Sequence, residues 1–455
     1  MTSLRKPKKN LSFDALRKAL SDHFDNLADP RTADNSQYTV HDTLMSAFAC
    51  MYFQDPSLLA FQARLEKKHQ RSNMQTIFRV RKTPKDSQLR DLIDRISAAT
   101  LAPCFKDIHE RLRRSKYFED YAVFPETLMC VIDGITYHSS KLVNCKHCLH
   151  KTSKSGETTY SHGILQGAIM YPDKKQVFPV MPEAISNKDG SKKQDCETNA
   201  AKRFIQQLRQ DYPRQKCISG GDGLMSHQPM IETVMDNNMH YLFVAKPGDH
   251  KYLYEWIETF DTFDTFDTFD IFDIFDILAE TSFYNEKGRR HVIRWQNDVQ
   301  LKDGDDAVRV NFVEYQQFNE DAKMTFRHAW VTDIPLTQDN AVVVARAGRC
   351  RWKIKNVCFN SLKNQGYELT HNYGHGKANL SLSMYLLTLL ALTFHQVCEL
   401  TDGMYQACRE ALGAKTRMWE DLRALMRRFL VEDWQRLMDM LINVNDYETT
   451  AIKRV

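Results

Sequence analysis

Between Leu128 and Pro247 three strand-like runs come first, and only then does the pattern alternate helix, strand, helix, strand. The three runs are LMCVIDGITYHSS from Leu128, HGILQGAIMY from His162 and QVFPVMPEAI from Gln176. They are rich in β-branched and aromatic residues and bounded by polar or turn residues. A helix from Asp195 to Arg209 follows, with Ala200, Phe204, Ile205 and Leu208 on one face. After it come the short strand KCISGGDGL, the helix SHQPMIETVMDNN and the buried strand HYLFVAKP. Strands joined by turns pair antiparallel, whereas strands joined through a helix return parallel by a crossover. The order therefore predicts an α/β fold with one mixed sheet and flanking helices.

Two carboxylates stand out against that pattern. Asp133 lies mid-strand, flanked by Val131, Ile132 and Ile135. A buried strand rarely tolerates an unpaired carboxylate, because burying one without a partner is costly. Asp222 ends a second strand and is followed by glycine. Ligand sites in open α/β sheets gather at the carboxyl ends of strands. Two carboxylates placed there suit hard divalent cations such as Mg²⁺, and two such ions can stabilise the attacking and leaving oxygens of a phosphoryl transfer. The bland alternative makes each Asp a turn or cap residue; the pairing weighs against it. Asp195 and Glu197 read as favourable charge at a helix N-terminus, and Asp42, Asp86 and Asp195 as caps.

The rest of the 455-residue chain divides by texture. Residues 1–125 read as a helical DNA-binding or dimerisation domain, with Leu16, Leu20, Phe24 and Leu27 at helical spacing and basic connections at Lys67, Lys68, Arg71, Arg79, Arg81, Lys82 and Lys85. On these features alone, a solvated bundle and a DNA-contacting one are equally supported. Residues 126–248 form the first part of a core, and 249–335 a β-rich insertion. Residues 336–400 are a basic helix block that completes the core, and 401–455 a C-terminal helical segment with one amphipathic helix from Trp419 to Met440. Inside the insertion lies TFDTFDTFDTFDIFDIFD, residues 259 to 276. Its period of three fits neither a helix face nor a strand face. A slippage expansion carried in a surface loop is the favoured reading, since a Ca²⁺-binding ladder would want glycines and mixed oxygen ligands.

Composition closes off several classes. Hydrophobic residues make up 42% of the chain, enough for a packed core. The longest apolar run, Met384 to Phe394, falls short of the ~20 residues that span a bilayer, and no apolar stretch follows the basic N-terminus, so neither a membrane protein nor a secretory signal is expected. A net charge of +4 permits nucleic-acid binding without demanding it. Eleven cysteines in such a chain read as cytosolic thiols rather than a disulfide framework.

One cysteine pair is set apart. Cys145-Lys146-His147-Cys148-Leu149-His150 contains C-x₂-C, half of many zinc sites. The second half would come from His150 or His147 with His162 or His138, and the set Cys145, Cys148, His150 and His162 is our expectation for a structural Zn²⁺. Free thiols are the alternative. The stretch from His371 to Gly376 carries two histidines, but its spacing fits no common zinc pattern and it reads as structural.

VIDGITYHSS with Asp133, SGGDGLMSHQPMIE with Asp222, and the block GRCRWKIKNVCFNSLKNQGYELTHNYGHG together resemble the DDE transposases of bacterial insertion sequences, in the branch with a β-rich insertion before the third acidic residue. The likeness extends over most of the chain, including LMSAFACMYFQDPSLLAFQ and KKQDCETNAAKR. It implies a ribonuclease H-like core in which Asp133 and Asp222 are the first two catalytic carboxylates and hold two Mg²⁺ or Mn²⁺ ions. It also implies double-stranded DNA (element ends and target) as partner, a homodimer acting on two ends, and a cytoplasmic, nucleoid-associated location. The resemblance includes a Cys pair followed by His, and leaves Asp195 and Glu197 at most a supporting role.

At the third acidic position the chain departs from the family. The family block reads Arg-Trp-x-Ile-Glu-Asn, and here it is Arg351-Trp352-Lys353-Ile354-Lys355-Asn356, with Lys355 where the Glu is expected. A lysine offers no anionic oxygen and places an ammonium beside the metal site. The tyrosine often found three residues before the Arg is Gly348 here, and Glu368 lies more than three helical turns on, too far to substitute. Arg349, Arg351, Lys353 and Lys363 suit phosphate contacts, with Arg351 and Lys363 at the family's basic positions. Trp352 reads as core ahead of a base-stacking wedge. Two functions follow: a cut-and-paste DNA transposase, or a transposase-derived DNA-binding protein that no longer cuts and acts as a repressor or regulator. A hydrolase of RNA or DNA junctions on the same fold is a third, weaker reading.

Overall fold

The computed structural model describes residues 6–32, 37–65, 68–187, 194–262, 278–369 and 373–443. All but the first residues of the TFD repeat, together with His371, lie outside these. Twelve strands among the described residues form one sheet: β1 (Ala122–Phe124), β2 (Thr127–Ser140), β3 (Leu149–Thr152), β4 (Thr158–Ile169), β5 (Phe178–Pro179), β6 (Glu183–Ile185), β7 (Lys216–Gly221), β8 (His240–Ala245), β9 (Ala279–Tyr284), β10 (Arg290–Gln300), β11 (Arg309–Phe318) and β12 (Met324–Thr332). The main path runs β3-β4-β2-β7-β8-β12-β11-β10-β9. The expected order is present: β2 pairs antiparallel with β4 and parallel with β7, and β7 pairs parallel with β8. The third expected strand is split into the short β5 and β6, both paired to β4.

The strands expected in the insertion continue the same sheet, since β12 pairs antiparallel with β8. A buried carboxylate sits in this half. Glu314 on β11 is fully buried between Arg294, 2.8 Å away, and Arg327, 2.5 Å away. Such a pairing offsets the cost of taking the charge out of water.

The helix Glu197–Asp211 crosses from β6 to β7. It buries Ala200, Ala201, Phe204, Ile205 and Leu208 against the sheet, the face its spacing predicts. Gly167 on β4 makes room: a Cβ there would stand 2.3 Å from Phe204 Cζ.

Helices from the two ends of the chain pack together. Val40–Tyr52 is buried along its whole length, and Phe48 meets Phe394 of the helix Leu380–Thr401 with ring centroids 4.9 Å apart. That last helix is 22 residues, longer than the Met384–Phe394 run suggested, and by length and composition it could cross a membrane. Yet 89% of its apolar window is buried inside the protein. Its start is held by Asp94, whose carboxylate accepts from the backbone N–H groups of Lys377, Ala378, Asn379 and Leu380 at 2.8–3.0 Å. Leu380 is among the donors a helix start leaves unpaired, and Lys377, Ala378 and Asn379 belong to the turn that leads into it.

Several local expectations are corrected. The cap before Val40 is Thr39, with Asp42 as its reciprocal partner in a capping box. Asp86 lies inside its helix and pairs with Arg90 at 2.8 Å. Asp195 precedes the N-cap Cys196 and pairs with Arg203 at 2.7 Å. The single C-terminal amphipathic helix is broken into Lys415–Arg428 and Trp434–Ile442. The Asn73 side chain occupies the break, donating to the Met426 and Phe429 carbonyls and accepting from Val431 N–H.

Candidate functional site: an acidic centre at the strand ends

The pairing of β2 with β7 ends at Val131 opposite Gly220. Asp133 and Asp222 each lie two residues beyond that pair. Residues at matching register on neighbouring parallel strands share a face, and a step of two preserves it. The two carboxylates therefore stand side by side at the carboxyl ends of adjacent strands. Asp133 is 5% exposed. Asp222 caps the turn Gly223–Met225, its Oδ1 accepting from Leu224 N–H at 3.0 Å.

A third carboxylate joins them, and it is not at the expected position. Glu197, in the first turn of its helix, accepts from Gly134 N–H at 3.1 Å through Oε1. Here β7 has already ended, so that edge of β2 is open. Gly134 also has no side chain to keep the carboxylate away: a Cβ would stand 2.3 Å from Glu197 Oε2. Burial raises the Glu197 carboxyl above the ordinary range, and the charges of Asp133 and Asp222 push it the same way. Burial likewise raises Asp133, against the opposing pull of Lys355 and with a further push from Asp222. Sequence reasoning gave Glu197 to the helix N-terminus. The signal that could have marked it was the glycine directly after Asp133, a gap in the strand wall beside the first carboxylate.

Lys355 reaches the same place from the opposite side. Helix Ala341–Arg349 gives way to a π-helical segment, Ile354–Phe359, which packs on β2. Such segments are rare and often found at functional sites. Lys355 Nζ lies 3.1 Å from Asp133 Oδ2, an ion pair rather than an aligned hydrogen bond. The lysine is half-exposed.

The basic residues expected to hold phosphate have different fates. Arg351 is half-buried and close enough to lower the Asp133 carboxyl. Lys363 is exposed on the helix Asn360–Asn364. Arg349 stacks on Tyr315, 4.3 Å from the ring centroid, and donates to its hydroxyl at 2.7 Å. Lys353 is a correction: it is 5% exposed, and its ammonium donates to the carbonyls of Tyr171, Pro172 and Lys174 at 2.5–2.6 Å. It clamps a loop and presents no charge to solvent. Trp352 is the opposite correction, since it is 50% exposed rather than core. Gly348 is explained by packing: a Cβ there would stand 2.5 Å from Trp330 Cε2, so the indole occupies the space a tyrosine would need.

The cysteine pair is gathered with two histidines, but one differs from the expected set. Cys145, Cys148, His162 and His375 bring their ligand atoms within 4.8 Å of one another. His150 is exposed on β3, with its backbone paired to the Gln194 side chain. His375 takes its place from a loop 213 residues beyond His162. All eleven cysteines are free of disulfides.

No protein-family model matches the chain, and no curated protein matches its sequence. Among solved structures, the cryo-EM structure of the piggyBac transposase synaptic complex with hairpin DNA is similar at 9% identity, over 99% of this chain and 86% of that one, with a TM-score of 0.42. At that level the likeness is a loose one, and the functional reading rests on the chain's own residues.

Proposed function

We propose that the chain is a DNA-processing protein of the transposase type, whose centre of Asp133, Asp222 and Glu197 serves metal-dependent phosphodiester chemistry on double-stranded DNA. The observation that carries the reading is the convergence of three carboxylates at the strand ends, with Asp133 raised by burial and Asp222, and Glu197 raised by burial, Asp133 and Asp222. Perturbed acids in such a place are functional candidates on physical grounds. The antiparallel strands β2 and β4 followed by the parallel β7 and β8, with a helix crossing between them, support a ribonuclease H-like core. The resemblance of the sequence to bacterial insertion-sequence transposases supports element ends and target as the DNA, a homodimer on two ends, and a cytoplasmic, nucleoid-associated location.

The donor set fits a hard divalent ion: oxygen ligands only, one of them the buried Asp133 Oδ2, which lacks a hydrogen bond. Asp133 and Asp222 would hold Mg²⁺ or Mn²⁺, with Glu197 as the further anionic oxygen. Bound there, the ions would neutralise phosphate charge and supply an activated water. The protein's own part is positional. Gly134 N–H orients Glu197, the cap at Asp222 fixes the Asp222 carboxylate, and Arg351 and exposed Lys363 suit phosphate contacts. Exposed Trp352 suits stacking on an unpaired base.

One observation favours a second reading. The Lys355 ammonium stands on Asp133 Oδ2, where a cation would otherwise sit. A chain so occupied would bind DNA ends without cutting them, as a repressor or regulator.

The deciding experiment is Mg²⁺- or Mn²⁺-dependent nicking of DNA bearing the element's own ends. The chain as it stands is compared with Lys355→Glu, Glu197→Gln and Asp133→Ala/Lys355→Glu. Nicking by the unaltered chain that is lost in Glu197→Gln supports the three-carboxylate enzyme. Nicking only by Lys355→Glu, and not by the double variant, supports the non-cutting DNA binder. Absence of nicking throughout removes the metal-dependent reading.

A further inference from the structure

The Cys145–Cys148 cluster lies apart from the acidic centre and plays no part in the reading above. Its donor separations fit those of a coordination tetrahedron along five of the six edges. With Zn–S of about 2.3 Å and Zn–N of about 2.0–2.1 Å, a tetrahedral S₂N₂ site has edges of roughly 3.8 Å (S–S), 3.5 Å (S–N) and 3.3 Å (N–N). The Cys145 and Cys148 sulfurs are 3.8 Å apart. His162 Nε2 lies 3.5 Å from Cys145 Sγ and 3.4 Å from Cys148 Sγ, and His375 Nε2 lies 3.5 Å from Cys148 Sγ. The two Nε2 atoms are 3.1 Å apart. Four donors drawn from three separate parts of the chain thus stand at the separations one small ion imposes in five of their six pairs, and the sixth, Cys145 to His375, lies within 4.8 Å.

The surroundings hold these donors in place. His375 Nδ1 meets the Gly376 carbonyl at 2.9 Å, so Nδ1 carries the proton and Nε2 turns a bare lone pair toward the sulfurs. Backbone N–H of Cys145 points at Cys148 Sγ at 3.4 Å, which suits a thiolate. His375 is projected by two glycines with positive φ, Gly374 at 131° and Gly376 at 68°. A Cβ at Gly376 would stand 2.4 Å from Asp94 Oδ1, the carboxylate that starts the last core helix. His138 is packed on His375, ring centroids 4.5 Å apart, but its Nε2 faces the Val143 carbonyl at 3.5 Å. It is a neighbour and not a ligand.

We propose that Cys145, Cys148, His162 and His375 hold one Zn²⁺ in a closed structural site that fastens the outer strands of the sheet to the loop between the Lys355 segment and the helix Leu380–Thr401. The soft and borderline donors in a tetrahedron select zinc over the hard ions suited to the acidic centre. A four-coordinate site with no open position has a structural and not a catalytic role. It ties β4 to a loop more than two hundred residues away and so sets how the third-position segment sits against β2.

The test is the metal content of the full-length chain, purified without added metal, by inductively coupled plasma mass spectrometry. One equivalent of zinc is expected. Cys148→Ser and His375→Ala should each fall below about a tenth of an equivalent, while His150→Ala keeps the full amount. Cobalt substitution should give the ligand-field bands of a tetrahedral S₂N₂ site, lost in His375→Ala. For any variant that does not fold, alkylation of the unaltered chain decides: Cys145 and Cys148 should be protected, and become reactive when a chelator is added. A folded, zinc-free chain, a Cys145–Cys148 disulfide, or retention of zinc by His375→Ala would each overturn the proposal.

Discussion

Lys355 Nζ lies 3.1 Å from Asp133 Oδ2, at the carboxylate that leads the acidic centre. A protonated amine there pairs with the carboxylate charge and competes with a metal ion for the same oxygen. Because the lysine is half-exposed, water screens part of the effect. We expect Lys355→Glu to bind Mn²⁺ at least about tenfold more tightly than the unaltered chain, a difference of ~1.4 kcal/mol. Electron paramagnetic titration of free Mn²⁺ measures this without any cutting assay. Equal affinities would show that the amine yields to the ion at no cost.

Glu197 gives a pH signature. Its carboxyl is raised by burial and by two neighbouring carboxylates. A raised acid binds its proton more tightly when folded, so the folded state is favoured at low pH and loses stability as pH climbs from the ordinary value of 4.5 through the raised one. Glu197→Gln keeps the acceptor for Gly134 N–H and removes the charge. The variant should be more stable than the parent at pH 7, with the gain shrinking as pH falls toward about 4.5. Urea melts at the two pH values give the answer, and a gain independent of pH would contradict it.

Gly348 and Trp330 share one space. Gly348→Tyr must displace the indole, and overpacking of this kind costs roughly 1–3 kcal/mol. Paired with Trp330→Gly, the cost should shrink, because the ring that filled the gap is gone. Thermal melts of the two single variants and the pair form the cycle; additive losses would show that the two residues do not compete.

Lys353 and Lys363 separate structure from DNA contact. Lys353 holds three carbonyls and should act on stability: Lys353→Met is expected to lose about 2 kcal/mol and leave the salt dependence of DNA binding unchanged. Exposed Lys363 should do the reverse. Lys363→Ala is expected to lower the slope of log affinity against log salt by about 1 with little change in melting. The same slope change in Lys353→Met would mean that its ammonium reaches phosphate after all.

How much could be read beforehand depended on range. Asp133 was legible because a carboxylate inside a run of valine and isoleucine is costly wherever the strand goes. The antiparallel and parallel pairings followed from which strands lacked a helix between them. Glu197 was placed correctly in the first turn of its helix, but its reach to Gly134 was not legible, because the open edge of β2 belongs to another element. His375 was set aside because ligand spacing rules count short intervals, and this ligand is closed by the fold across more than two hundred residues. Lys353 and Trp352 were exchanged in role because residue type alone predicts exposure: a lysine with three carbonyls is content inside, and an indole beside a basic surface is not obliged to hide.

The Phe48–Phe394 contact joins the first and last quarters of the chain, and Asp94 starts a core helix made late in synthesis. At ~5–20 residues per second, the helix Val40–Tyr52 waits on the order of tens of seconds for its partner. During that interval Phe13 and Phe78 can cover part of the helix, while the face that meets Phe394 and Trp419 stays open. The early helical layer is therefore a client for chaperones rather than a self-sufficient folding unit. A messenger cut short before residue 380 would yield a sticky fragment, so an intact reading frame is itself a condition for a soluble product.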